Sequence, residues 1–155
     1  MTNKTFSKDA VEYVVAPITI VALLAGLYFL NVRPIQANTR LITALSACSN
    51  GKADITLFTK ALNVAPIANQ EIREQLLSCT GTVVNNQYPG PTKQAFYNLL
   101  IQEIKNQIAS APNDARVYVL GGSFLLNVGQ IAEATPLLEK AHELTAGKQS
   151  VTGTP

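Results

Sequence analysis

The sequence predicts an all-α protein in which one N-terminal membrane helix is followed by antiparallel helical hairpins. Three observations predict this: an uncharged apolar run near the start, apolar residues at three- and four-residue spacing after it, and breaks rich in glycine, proline or asparagine. No alternating strand pattern competes, since VYVL at 117–120 is short and falls inside a helical period. The 155 residues are enough for one modest domain and an appendage.

The composition is poor in charge. Charged residues make up 14% of the chain, against about 25% in an average soluble domain. This deficit is typical of a partly membrane-embedded chain or of a surface rich in neutral polar residues. The formal net charge of +2 provides no clustered basic face, so we expect no nucleic-acid partner.

The apolar run at residues 13–32, YVVAPITIVALLAGLYFLNV, contains no charged side chain. At ~1.5 Å per residue it is about 30 Å long, which matches the hydrocarbon core of a bilayer. Tyr13 and Tyr28 lie toward its ends, where aromatic rings favour the membrane interface. Arg33 follows the run, and Pro34 is expected to interrupt the helix there. We therefore predict a tail and helix start over 1–12 and a single-pass transmembrane helix over 13–33, in contact with lipid through 13–32.

Two other interpretations of this segment compete with a membrane anchor. One is a buried core helix, and the other is a cleaved signal peptide. Asp9 and Glu12 in the leading segment, and a run longer than a typical apolar region of 7–15 residues, argue against the signal peptide. The side of the membrane stays open, because Lys4 and Lys8 before the run nearly balance Arg33 and Arg40 after it.

A helical domain is predicted over 35–147, followed by a disordered tail over 148–155. About six helices are expected, in hairpins joined by short loops, with breaks at Asn50-Gly51, at the loop 85–91 and at 111–113. Each helix has a one-sided apolar stripe. The stripes are Ile35, Asn38, Leu41, Ile42, Leu45 and Cys48; Ile55, Phe58, Ala61 and Leu62; Ile72, Leu76, Cys79 and Val83 or Val84; and Phe96, Leu99, Leu100, Ile104 and Ile108.

The last hairpin, over 113–146, resembles a tetratricopeptide repeat, a pair of helices of about 34 residues with small residues where the helices meet. Gly121 and Ala146 depart from the pattern. Pro136 lies inside the second helix, where we expect a local bend after Thr135 and not a break. The matching positions are Tyr118, Gly122, Leu125, Gly129, Ile131, Ala134, Leu138 and Ala141.

A weaker repeat is predicted earlier in the chain. In LFTKALNVAP, Phe58, Ala61 and Pro66 match the end of a second repeat helix, with residues 35–49 as the first. The stretch 67–112 does not divide into units of 34 residues, so irregular helices are expected there.

The order of these features resembles the C-terminal region of O-antigen ligase/polymerase-like membrane proteins that carry a tetratricopeptide tail. The resemblance covers about 13–149 and is carried by Asn31 and Pro34, ANTRLITALSA, LFTKALNVAP, EIREQLL and GQIAEATPLLEKAHELTAGKQ. In that family the glycan-transfer chemistry lies in a bundle of membrane helices and a large loop that this chain lacks. The resemblance therefore implies the non-catalytic end of such a protein, as a fragment or as a stand-alone chain.

The sequence predicts no enzyme, no cofactor, no metal site and no catalytic residue, because the single histidine, His142, has neither a catalytic partner nor metal-ligand spacing. The favoured function is a membrane-anchored scaffold that binds a protein or peptide partner through the first helix of its hairpins. The alternative is a C-terminal fragment of an O-antigen ligase/polymerase-like glycan-transfer protein. The candidate partner-binding residues are Arg116, Tyr118, Val119, Ser123 and Leu126, against the alternative that they pack on neighbouring helices.

Cys48 and Cys79 each lie on the apolar side of a predicted helix. Buried free thiols are the favoured interpretation, because a free cysteine packs as a small hydrophobic residue. A disulfide between the two helices becomes plausible if the domain faces an oxidising compartment.

Overall fold

The protein is all-α, as predicted, in a computed structural model that describes residues 8–64 and 69–152, with side chains described over 13–64 and 69–146. Ser7 and earlier residues, Pro66, and the last three residues of the predicted tail lie outside the described part. The helices are α1 (Lys8–Leu27), α2 (Arg33–Ser49), α3 (Ile55–Leu62), α4 (Asn69–Asn85), α5 (Gly90–Ser110), α6 (Ala115–Asn127) and α7 (Ile131–Thr152), with a π-helical turn at Tyr28–Val32 between α1 and α2.

The apolar N-terminal segment is a helix long and apolar enough to cross a membrane. The continuous helical stretch Tyr13–Ser49 contains an 18-residue window with mean hydropathy 2.2, none of which is buried by the rest of the protein. Its exposed apolar side chains include Val21, Leu24 and Leu30. A signal sequence near the N-terminus would share this length and composition, whereas a core helix would be buried. The lack of burial within the chain argues against the core-helix interpretation.

The predicted interruption at Pro34 is wrong, because the helix continues through it. Pro34 lies in the first turn of α2 and has no amide hydrogen to donate to the preceding turn. The π-helical turn widens the helix just before it, and the Arg33 amide donates to the Tyr28 carbonyl. The Asn31 side-chain amide donates to the Leu27 carbonyl at 3.3 Å. The apolar segment and the first helix of the domain are consequently one continuous helix.

The helical domain consists of three consecutive pairs, α2 with α3, α4 with α5, and α6 with α7. The first pair contacts the second through α2 with α4 and through α3 with both α4 and α5. The second pair contacts the third through α5 with α6. This is the order of a short helical-repeat stack. The region 67–112, expected to hold irregular helices, supplies the middle pair.

One apolar core runs through the three pairs. Phe58 of α3 and Phe96 of α5 are fully buried, and their rings meet edge to face at 6.0 Å between centroids. Ile72, Leu76 and Leu100 are buried around them. Since Phe58 and Phe96 belong to different pairs, their contact holds the first hairpin against the second.

The buried face of α2 differs from the predicted stripe. Ala37, Leu41, Ala44 and Cys48 face the core, while Ile35 and Ile42 are exposed, Ile42 by 67%. The stripe at 37, 41, 44 and 48 keeps helical spacing but includes two alanines, which a hydrophobicity pattern underweights. Small residues here let α3 and α4 approach the α2 backbone closely.

The favoured interpretation of Cys48 and Cys79 as free thiols is wrong in this structure, which joins them in a disulfide. Their Cα atoms lie 6.0 Å apart, and 31 residues separate them in the sequence. The bond connects the last turn of α2 to the middle of α4. It therefore crosslinks the first and second hairpins next to the core.

The last hairpin has the features predicted from its repeat pattern. Gly129 has a φ of +79°, a conformation that favours glycine, and it turns the chain from α6 into α7. Pro136 lies inside α7 without breaking it, as expected. α7 continues past 147 to Thr152, which places part of the predicted disordered tail in a helix.

Candidate partner-binding surface

The start of α6 is held by capping contacts. Asp114 has an extended backbone, and its carboxylate accepts a hydrogen bond from the Arg116 amide at 3.0 Å. This is the arrangement of an N-terminal cap, which satisfies one of the free amides of the first turn. The Tyr118 hydroxyl donates to the Pro112 carbonyl at 3.0 Å. The first turn of α6 is thereby fixed to the loop that precedes it.

One face of α6 is used for packing against other helices. A Cβ atom at Gly122 would come within 2.6 Å of Leu138 Cγ on α7, and one at Gly121 within 3.0 Å of Ile104 Cγ2 on α5. Both glycines therefore mark close helix–helix contacts. Gly121, a departure from the repeat pattern, is explained by its contact with Ile104.

The opposite face of α6 is open to solvent. It carries Arg116, Val119, Ser123 and Leu126, which are all exposed. Val119 is 45% exposed and Leu126 is 46% exposed. Positions 119, 123 and 126 follow the i, i+4, i+7 spacing that places side chains in one row on a helix. We call these four residues the α6 face.

Tyr118, the fifth predicted site residue, does not belong to the α6 face. Its side chain is buried, and its hydroxyl is used by Pro112. Residue 118 is next to 119 in the sequence but points about 100° away around the helix. Tyr118 is therefore a packing residue, as the alternative interpretation held.

One ion pair connects the α6 face to the second hairpin. Arg116 Nη2 lies 2.8 Å from Glu74 Oε1 on α4, with side chains 59% and 26% exposed. On the neighbouring surface, Arg73 of α4 pairs with Glu103 of α5 at 2.7 Å. The first pair leaves the guanidinium partly free at the edge of the α6 face, where it can also meet an acidic partner group.

A second surface feature was not predicted from the sequence. A groove of about 350 Å³ lies between α5 and the last hairpin. Its apolar lining includes Tyr97, Ile101 and Leu137, with Lys105 and Glu133 also present. Burial, and secondarily the carboxylate of Glu133, raises the pKa of the Tyr97 phenol above its usual value. The spacing of 97, 101, 104 and 108 on α5 was the signal in the sequence, but the groove requires α7 as its other wall.

The α6 face offers two aliphatic side chains, one hydroxyl and one guanidinium. Within the part of the chain that the structure describes, no three His, Cys, Asp or Glu side chains are grouped to hold a metal ion. His142 is exposed on α7.

Comparisons with protein families, with curated proteins and with solved structures find no match to this chain.

Proposed function

We propose that this chain is a non-catalytic, single-pass membrane-anchored scaffold whose helical repeats bind a peptide or protein partner through the α6 face. The observation that carries the proposal is the contrast between the two sides of α6. One side is packed so closely that a Cβ atom at Gly122 would lie 2.6 Å from Leu138 Cγ, while the other leaves Val119 and Leu126 about half exposed in one row. Scattered single apolar residues are ordinary on surfaces, but an aligned pair beside a charged group suits a partner helix or strand.

The expected partner is an extended or helical peptide with apolar side chains and at least one carboxylate. Its apolar groups would cover Val119 and Leu126, and the carboxylate would meet Arg116. Full burial of two half-exposed aliphatic side chains contributes on the order of 2 kcal/mol. Such a surface therefore supports a modest affinity that the membrane anchor would strengthen by holding partners together.

A binding experiment on the full-length chain in nanodiscs tests the proposal. A photo-crosslinker at Ser123 should capture a defined membrane or envelope protein, and a peptide from that partner should bind the purified chain. The double variant Val119→Asp/Leu126→Asp should weaken peptide binding at least ~10-fold, since ~1.4 kcal/mol corresponds to a factor of ten. Ile42→Asp is the matched control, because Ile42 is also exposed but lies on α2. Equal binding by both variants would refute a role for the α6 face.

The membrane anchor is tested separately. The full-length chain should stay in the membrane fraction after alkaline carbonate extraction, and its mass should show that residues 13–32 are retained. Release into the supernatant together with loss of the N-terminal segment would identify the helix as a signal sequence.

We also propose, as a second candidate, that the chain is the C-terminal part of an O-antigen ligase/polymerase-like membrane protein. The observation that favours it is the single helix from Tyr13 to Ser49, which leaves no linker between the span and the repeats. A rigid connection of this kind suits a tail that holds a fixed position relative to a membrane-embedded enzyme. The polypeptide detected in native membranes should then be much larger than the 16.6 kDa of this chain, whereas a band of 16.6 kDa would favour the stand-alone scaffold.

A further inference from the structure

The disulfide joins two residues that are enclosed by the domain. Cys48 is 7% exposed and Cys79 is 3% exposed, and both belong to the apolar core. Cys48 lies one residue before the end of the continuous helix that begins in the membrane segment, and Cys79 lies within α4. The bond therefore ties the far end of the anchor helix to the second hairpin.

The compartment decides whether this bond can exist. Cytosolic thiol systems keep protein cysteines reduced, whereas disulfides form and persist on the outer, oxidising side of a membrane. The charges flanking the span leave its orientation undecided, because Lys4 and Lys8 precede it and Arg33 and Arg40 follow it. The cysteine pair is thus the feature of the chain that distinguishes the two sides.

We propose that the helical domain lies on the oxidising side of the membrane and is a substrate of a disulfide-donating thiol oxidase, which forms the Cys48–Cys79 bond. In the first step, one cysteine thiolate attacks a sulfur of the oxidase disulfide and gives a mixed disulfide. In the second, the other cysteine thiolate displaces the oxidase thiolate. The two thiols of this chain lose two electrons and two protons in all, and the oxidase disulfide is reduced to two thiols.

Burial of the pair sets the order of events. A mixed disulfide requires a cysteine that the oxidase can reach, and neither cysteine is accessible once α2 and α4 have packed together. Oxidation therefore precedes the docking of α4 on α2. The same burial makes the finished bond resistant to reductants in the native protein.

Thiol trapping of the full-length chain in intact cells tests the bond. The protein is precipitated with acid, dissolved in denaturant and treated with a maleimide-polyethylene glycol reagent. We expect no gel shift without prior reduction, and a shift by two adducts after reduction in denaturant. Cys48→Ala and Cys79→Ala should each shift by one adduct without reduction. A two-adduct shift of the unreduced wild-type protein would overturn the proposal.

The side of the membrane is tested with single added cysteines and a membrane-impermeant maleimide. Ser110→Cys changes an exposed position at the end of α5, and this variant should be labelled in intact cells. Ser7→Cys, which precedes the span, should be labelled only after the membrane is opened. The reverse pattern would place the domain on the reducing side and overturn the proposal.

The sidedness rests on the proposed membrane anchor, but the bond does not. If carbonate extraction releases the chain while thiol trapping finds the disulfide, the anchor fails and the oxidation remains. If the chain stays in the membrane with two free thiols, the anchor remains and the oxidation fails.

Discussion

The first and last hairpins of this domain are stabilised by contacts of different kinds. In the last hairpin, Gly122 lets the backbone of α6 approach Leu138 on α7 so closely that a single added carbon would clash. In the first, a covalent bond from Cys48 to Cys79 fixes α2 against the second hairpin. The glycine contact depends on shape within one pair, whereas the disulfide acts between pairs. The first hairpin is therefore tied covalently to its neighbour, while the last hairpin has a close contact between its own two helices.

The largest effect is expected from breaking the disulfide. Cys48→Ala, which avoids burying a hydroxyl, should lower the free energy of unfolding by about 3 to 4 kcal/mol, because the bond closes a loop of 31 residues. Chemical denaturation of the full-length chain in detergent, followed by circular dichroism, measures it. Reductant present during unfolding should destabilise the wild type, because the bond becomes accessible once the chain unfolds, and should leave the variant unchanged. Equal stability of the two proteins without reductant would mean that the bond contributes nothing.

The next largest effect is expected at the glycine contact. Gly122→Ala should destabilise the protein by about 1 to 2 kcal/mol, since overpacking costs roughly 1 to 3 kcal/mol and the better helix propensity of alanine returns only part of it. Thermal melts of the same preparation measure the loss.

Gly81→Ala is the matched control for the glycine contact. Gly81 also lies inside a helix, but a Cβ there would meet no atom within 4 Å. This substitution should stabilise the protein by about 0.5 to 1 kcal/mol. Opposite signs at the two glycines support the close contact, and the same sign at both would contradict it.

A smaller, stabilising effect is expected from Pro136→Ala in α7. The substitution restores the amide that can donate to the Ala132 carbonyl, but it also gives the unfolded chain more freedom, which opposes the gain. We expect a net stabilisation of about 1 kcal/mol in the same melts. A loss of stability would mean that the packing of Ala134 and Ala141 requires the proline.

The smallest effect is expected from Arg116→Ala. Its ion pair with Glu74 is largely exposed to solvent, and such pairs contribute roughly 0 to 1 kcal/mol. Any loss should shrink as salt is added. Arg73→Ala, which removes the more enclosed pair with Glu103, should cost more. A large, salt-independent loss for Arg116→Ala would show that this residue belongs to the packing of the domain.

Much of the fold follows from sequence patterns, because helical spacing and turn residues are local signals. The spacing of Phe96, Leu100 and Ile104 correctly predicted the buried face of α5. The predicted interruption at Pro34 was wrong because the rule that proline interrupts a helix applies to a regular α-helix. Here a π-helical turn at Tyr28–Val32 comes just before the proline. The prediction that Ile42 belongs to the buried face of α2 was wrong, because hydrophobicity alone does not decide which side of a helix packs against another helix.

The candidate surface could be predicted only in part. Four of the five predicted residues lie on the α6 face, but Tyr118 is buried. The repeat pattern predicts which residues occupy equivalent positions in the hairpin, but it does not predict how deeply each side chain is buried. The groove between α5 and the last hairpin joins residues from three helices. Sequence spacing on α5 could mark one wall of it but not the other.

The sequence by itself determined the apolar span, the helical class and the small residues of the last hairpin, because each depends on residue type and local spacing. Only the tertiary structure decided that Cys48 meets Cys79, that α2 buries alanines and exposes Ile42, and that the chain forms three pairs. These features depend on which helix faces come within contact distance, and that distance is set by the packing of side chains far apart in the sequence.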